Sequence, residues 1–169
     1  MKKLMAIGAL TVLAVLGGCS KPAATQTADP AAIADAVKGE VAALVTSFNN
    51  RDAAGAVSHD EPGYIGMFHG TPNTVGMAAD LAMTKLQVSD PAAKVTVGDQ
   101  TVDVAMAGDM AIDRATYEYT FTDPKTHQPK VEIGNWILSF RKQPDLTWKL
   151  AWSVISDTGS TPVAPATKL

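Results

Sequence analysis

The chain has 169 residues, 46% of them hydrophobic and 18% charged, with a formal charge of −3 and a single cysteine. That is enough apolar material for one folded domain and excludes a disordered chain. The lone cysteine excludes an internal disulfide and a cysteine-rich metal site, and an acidic balance without a basic stripe excludes nucleic acid as a partner.

The first residues read as an address. Lys2 and Lys3 form a positive start, Leu4–Leu16 is an apolar run too short for a comfortable bilayer span, and Gly17-Gly18 puts small residues before Cys19. Leu16-Gly17-Gly18-Cys19 resembles the bacterial lipobox. The resemblance implies cleavage of residues 1–18 and lipid attachment at Cys19, with two or three acyl chains needed for stable anchoring. Ser20 in place of Asp is similar to the outer-membrane sorting pattern. The expected location is therefore the bacterial cell envelope, on the outer membrane facing the periplasm. Loss of Lys2 and Lys3 leaves 12 basic and 17 acidic residues, or −5, so the lipid and not charge would hold the membrane. Residues 19–28 read as a lipidated flexible tether reaching roughly 17 Å, residues 29–158 as the domain, and residues 159–169, with Pro162 and Pro165, as a frayed tail.

Asp29 is suited to cap a helix beginning at Pro30. Ile33, Val37, Val41, Leu44, Val45 and Phe48 then fall on one helical face. Asn49-Asn50-Arg51 ends that helix, and Asp52 caps a short second one over Ala53–Val57. After the Pro62-Gly63 break, Tyr64–Phe68 reads as a strand. A third helix is expected from Asn73 or Thr74, with Val75, Ala78, Leu81, Ala82 and Leu86 as its apolar face and Asp90-Pro91 as its end.

From Lys94 the period becomes two. Val95 and Val97, then Val102, Val104 and Met106, alternate across a phase break at Gly98-Asp99 that predicts a bulge. Met110–Thr122, Lys130–Lys142 and Thr147–Ser156 read as three long strands. Glu132, Trp136, Leu138 and Phe140 share one face of the second; Trp148, Leu150, Trp152 and Val154 share one side of the third. Helices first and an antiparallel meander after them make an α+β domain, with helices on one face of a curved sheet.

Phe48-Asn49-Asn50-Arg51-Asp52-Ala53 resembles the end of the first helix in NTF2-like proteins, and Phe140–Leu150 with the strand to Ser156 resembles their final hairpin. The layout over roughly residues 30–157 is most similar to the SnoaL-like and DUF4440 branches. The resemblance implies an NTF2-like, cystatin-like cone: N-terminal helices packed on a strongly curved antiparallel sheet, a pocket at the open end, and a homodimer through the outer sheet face. Isomerases, dehydratases, cyclases and non-catalytic binding domains share this fold, so it leaves function open.

Tyr64, Phe68, His69, Tyr117, Trp136 and Trp152 are the candidate pocket residues. No catalytic motif of a known branch matches residue by residue, so no catalytic role is assigned. His59, His69 and His127 lack metal-ligand spacing, and no cofactor fingerprint appears. The leading reading is a small apolar or amphipathic ligand bound in the cone. An isomerase, dehydratase or cyclase-type enzyme is the alternative, drawing a base from Asp60, His69, Asp80 or Asp113 and an oxyanion donor from Tyr64 or Tyr117. A third reading is a dimeric protein-interaction module. His59-Asp60-Glu61 reads as loop packing, and Arg114 with Glu118 as an ion pair on one strand face.

Overall fold

The computed structural model describes residues 29–162; the expectations for the signal segment, Cys19, the tether and residues 163–169 lie outside them. The elements run α1 (Pro30–Asn49), α2 (Ala53–Val57), β1 (Asp60–Phe68), β2 (Thr74–Val75), α3 (Met77–Ser89), β3 (Lys94–Val104), β4 (Met110–Thr122), β5 (Pro129–Lys142) and β6 (Trp148–Pro162). The six strands form one sheet in the order β2-β1-β6-β5-β4-β3. Every neighbouring pair is antiparallel except β1 with β6. The architecture is α+β, helices packed on a curved sheet, as the periodicity predicts.

Asp29 caps α1 by accepting from the Ala31 amide at 3.0 Å, and Ile33, Val37, Val41 and Phe48 are the buried stripe. Ile33, Val37 and Val41 pack with Ala111, Ala115, Trp136, Leu138 and Phe140 from the sheet, while Phe48 packs with Ala53, Ala56, Val88 and Ala93. Full burial of a side chain such as Val37 or Phe140 contributes about 1.5–3 kcal/mol. The residues after Phe48 divide the work of closing the helix layer. Asn49 pairs with the Val95 backbone through its amide, donating from Nδ2 and accepting at Oδ1, both at 2.8 Å. Arg51, at φ 65°, turns the chain and donates to the carbonyls of Val88, Asp90 and Pro91 at the end of α3. Asp52 then caps α2 through the Gly55 amide.

Several expectations are corrected. β1 begins at Asp60, before the Pro62-Gly63 break, because its register with β6 shifts between Asp60 and Ile65 and absorbs the irregular stretch. Asp60 is therefore a strand residue and not loop packing. α3 starts at Met77, since Thr74 and Val75 pair with β1 as β2. Its expected apolar face is largely turned outward, with Val75 66% and Leu86 75% exposed; the buried residues are Asp80, Thr84 and Val88. In β6, Trp152 pairs with Ser139 while Leu150 pairs with Phe140, so Ala151 is an extra residue. A bulge of one residue reverses the alternation. Trp148 and Leu150 join the core, whereas Trp152 and Val154 turn to the outer face and Ser153 and Ile155 turn inward. β6 also extends to Pro162, so Ser160, Thr161 and Pro162, expected in the tail, pair with β5. Arg114 bonds Asp103 across β3 and β4, at 2.9 Å from Nη2 and 3.0 Å from Nε, rather than Glu118. The register of β3 with β4 shifts between Gly98 and Thr101, where the bulge is expected. Met106 leaves the alternation and is exposed in the following turn.

Candidate active site in the cone

A cavity of about 370 Å³ lies between the sheet and the three helices. Leu44 and Phe48 enter it from α1, Val95 from β3, Tyr117, Tyr119 and Phe121 from β4, Trp136 and Leu138 from β5, and Leu150 and Ile155 from β6. The aromatic rings brace one another. Tyr119 stacks on Phe121 at 5.3 Å between centroids and meets Phe48 edge-on at 6.1 Å; Tyr117 stacks on Trp136 at 6.4 Å. All three tyrosines and three of the four phenylalanines of the chain line this one space.

Two polar clusters break the apolar wall. The first comprises Asp60 and Tyr64 from β1, Asp80 and Thr84 from α3, and Ser153 from β6. Asp60 is 4% and Asp80 9% exposed. Their carboxyls are near enough that each acts on the other's titration, and Tyr64 Oη is 2.7 Å from Ser153 Oγ. Burial pushes Asp60 up to about 8, with the charge and hydrogen bond of Asp80 adding to the rise and Lys149 opposing it. Burial also raises Asp80, against hydrogen bonds from Asp60 and Thr84. Two carboxyls this close in an apolar wall resist ionising together, and Asp60 keeps its proton into the neutral range. Burial, then the charge on Asp80, push the Tyr64 phenol up, so it stays a neutral donor.

The second cluster lines the same cavity. Tyr117 donates to Glu132 Oε1 at 2.6 Å, and Glu132 Oε2 lies 3.3 Å from His69 Nε2. His69 Nδ1 is 3.7 Å from Asp157, and the His69 ring is 41% exposed. Burial first, then the Glu132 bond and charge, hold the Tyr117 phenol in its neutral form.

Of the expected pocket residues, Tyr64, Phe68, His69, Tyr117 and Trp136 line the cavity, and Trp152 does not, because the Ala151 bulge turns it outward. Of the four acid–base candidates, Asp60 and Asp80 meet at one point with Tyr64, while His69 stands in the other cluster. Asp113 lies outside the lining. It is fully buried behind the wall, where its Oδ2 accepts from the Trp136 indole at 3.1 Å and so orients that ring. Burial raises its pKa, against Gln100 and Trp136, which lower it. Sequence reasoning did not single out Thr84 or Ser153 for the pocket. The spacing of Asp80, Thr84 and Gln87 along one helical face is the signal that points to α3 as a polar wall.

No protein-family model matches the chain, and no curated protein matches it in sequence. Solved structures do. An NTF2-like superfamily protein from Salmonella enterica serovar Typhimurium is similar at a TM-score of 0.67 and 13% identity, covering 82% of this chain and 100% of its own. A ketosteroid isomerase-like protein from Erwinia carotovora atroseptica is similar at 0.62 and 18%, covering 74% and 95%. A type 3 hexachlorocyclohexane dehydrochlorinase from Novosphingobium barchaimii is similar at 0.69 and 12%, covering 80% and 92%. The chain thus has the NTF2-like fold, a cone of helices on a curved sheet.

Proposed function

We propose that the cone binds a small, mostly apolar molecule whose polar group meets Asp60, Asp80 and Tyr64. The observation that carries this reading is the cavity itself: about 370 Å³, walled by braced aromatic rings, with polar side chains converging at one place. A second reading, an isomerase or dehydratase acting by proton transfer, is favoured by one specific feature. The Asp60 carboxyl, pushed up to about 8, and the neutral Tyr64 hydroxyl share that cavity, the pairing such chemistry uses for a base and an oxyanion donor. The neighbours with isomerase-like and dehydrochlorinase descriptions agree with it.

The test is titration of the full chain with phenethyl alcohol, followed by native mass spectrometry. Wild type is expected to take up one molecule. Thr84→Phe, which puts a ring into the cavity, is expected to weaken uptake by at least about tenfold. Equal uptake by the two proteins counts against the cone as the site. The enzyme reading further requires turnover of a small carbonyl compound that Asp60→Asn lowers by about 10²-fold or more.

The same protein is proposed to be an envelope lipoprotein anchored through Cys19, on the strength of Leu16-Gly17-Gly18-Cys19. Labelled palmitate is expected to enter the wild-type chain and not Cys19→Ser; labelling of both would refute the anchor. A second copy is proposed to cover the outer sheet face, where Ile65, Met110, Ile133 and Ile137 are exposed.

A further inference from the structure

The charges lining the cavity are unbalanced. Asp60, Asp80 and Glu132 contribute carboxyls, and among the described residues neither lysine nor arginine lines the space; His69 at the second cluster is the one basic group there. Lys149, the cation that acts on Asp60, lines the shallow groove on its far side and donates to the Ser58 carbonyl at 2.6 Å. Asp60 Oδ2 is buried and has no hydrogen-bond partner. The group facing Asp60 is another carboxyl, an acceptor as well unless protonated. Tyr64 is turned to Ser153, and Thr84 acts on Asp80 rather than on Asp60. Buried carboxyl oxygens without donors are costly, and a proton or a cation satisfies them. Much of the remaining lining is aromatic, and aromatic π-surfaces attract cations.

We propose that the cone selects an organic cation, a small protonated primary or secondary amine with a hydrocarbon or aromatic body, whose N–H groups donate to Asp60 and Asp80. This rests on the cone being the binding site and names the class of ligand it takes. The ammonium supplies the donors that Asp60 Oδ2 lacks. Tyr119, Phe121 and Trp136 receive the body. The charge balance follows from the pair. In the free protein Asp60 keeps its proton; the amine arrives already protonated, that proton leaves to solvent, and two carboxylates then face one cation. Neutral ligands leave that proton in place, and anionic ligands meet three acidic side chains in an apolar wall.

Isothermal titration of the full chain at about pH 7 tests this with phenethylamine, phenethyl alcohol and hydrocinnamate, in phosphate and in Tris buffer. Phenethylamine is expected to bind at least about tenfold more tightly than the alcohol, and hydrocinnamate the weakest. The difference in heat between the buffers is expected to show release of close to one proton per amine and none for the alcohol. Asp60→Asn is expected to abolish proton release and the preference for amine, and a far-UV circular dichroism spectrum matching wild type shows the fold intact. Alcohol binding as tight as amine, or amine binding without proton release, overturns the cation while leaving the cone as a site. Failure of all three probes overturns both.

Discussion

Asp60 joins sequence, stability and chemistry at a single side chain. Its carboxyl is buried beside Asp80, which raises the pKa to about 8 in the folded chain, whereas an unfolded aspartate titrates near its ordinary value of about 3.9. Between these values the folded state binds more protons than the unfolded one, so stability is present at the acid end and falls as pH rises. The slope inside the window reaches up to about 1.4 kcal/mol per pH unit. Urea unfolding at about pH 5 and about pH 8 is expected to show the higher midpoint at the lower pH, and Asp60→Asn is expected to flatten the difference. A wild-type midpoint that rises over this range would sink this account of Asp60. Asp90, Asp123 and Asp145 do not confound it. Backbone amides hold Asp90 and Asp123, and chiefly the Thr147 hydroxyl holds Asp145, below the usual carboxylate range, so their contribution is lost only at more acidic pH.

At the scale of elements, α3 departs most from its pattern. An amphipathic helix ordinarily turns its apolar stripe to the core. α3 instead turns Asp80, Thr84 and Gln87 to the cavity and leaves Leu86 75% exposed. Leu86→Lys is therefore expected to change the unfolding free energy by no more than about 0.5 kcal/mol, measured by urea denaturation; a loss of several kcal/mol would mean that the helix packs by its apolar face. The reason sequence reading misplaces this face is physical. Periodicity detects a stripe but not what it meets, and a helix that walls a ligand cavity inverts the rule. α1 carries no such conflict, and its stripe of Ile33, Val37, Val41 and Phe48 was legible residue by residue. β6 fails in another way, because Ala151 adds a bulge without a glycine or proline to mark it, and one residue exchanges Trp152 for Ser153 at the cavity wall.

Over the whole molecule the sheet separates two surfaces. Its inner face holds the core and the cavity. On its outer face Met67, Val154 and Ile137 form one cross-strand row and Ile65, Trp152 and Ile112 lie in the next. The Arg114–Asp103 pair stands at the edge of these rows. A second copy related by a two-fold axis would cover this apolar band and set each charged pair near its counterpart. Sedimentation of the full chain is expected to report a dimer, and Ile137→Arg to shift it to monomer without lowering the thermal midpoint by more than a few degrees; a wild-type monomer at high concentration would leave the face without its proposed cover.

The amino-acid order alone determined the class of fold, since periods of 3.6 and 2 in this sequence, with Asp29 and Asp52 as caps, specify local structure through contacts only a few residues apart. It also placed Tyr64, Tyr117 and Trp136 on strands that line one space. Tertiary structure decided what meets in that space. Asp60 and Asp80 lie on separate elements, β1 and α3, joined by β2, and the raised pKa of each exists only because the fold brings two carboxyls together away from water.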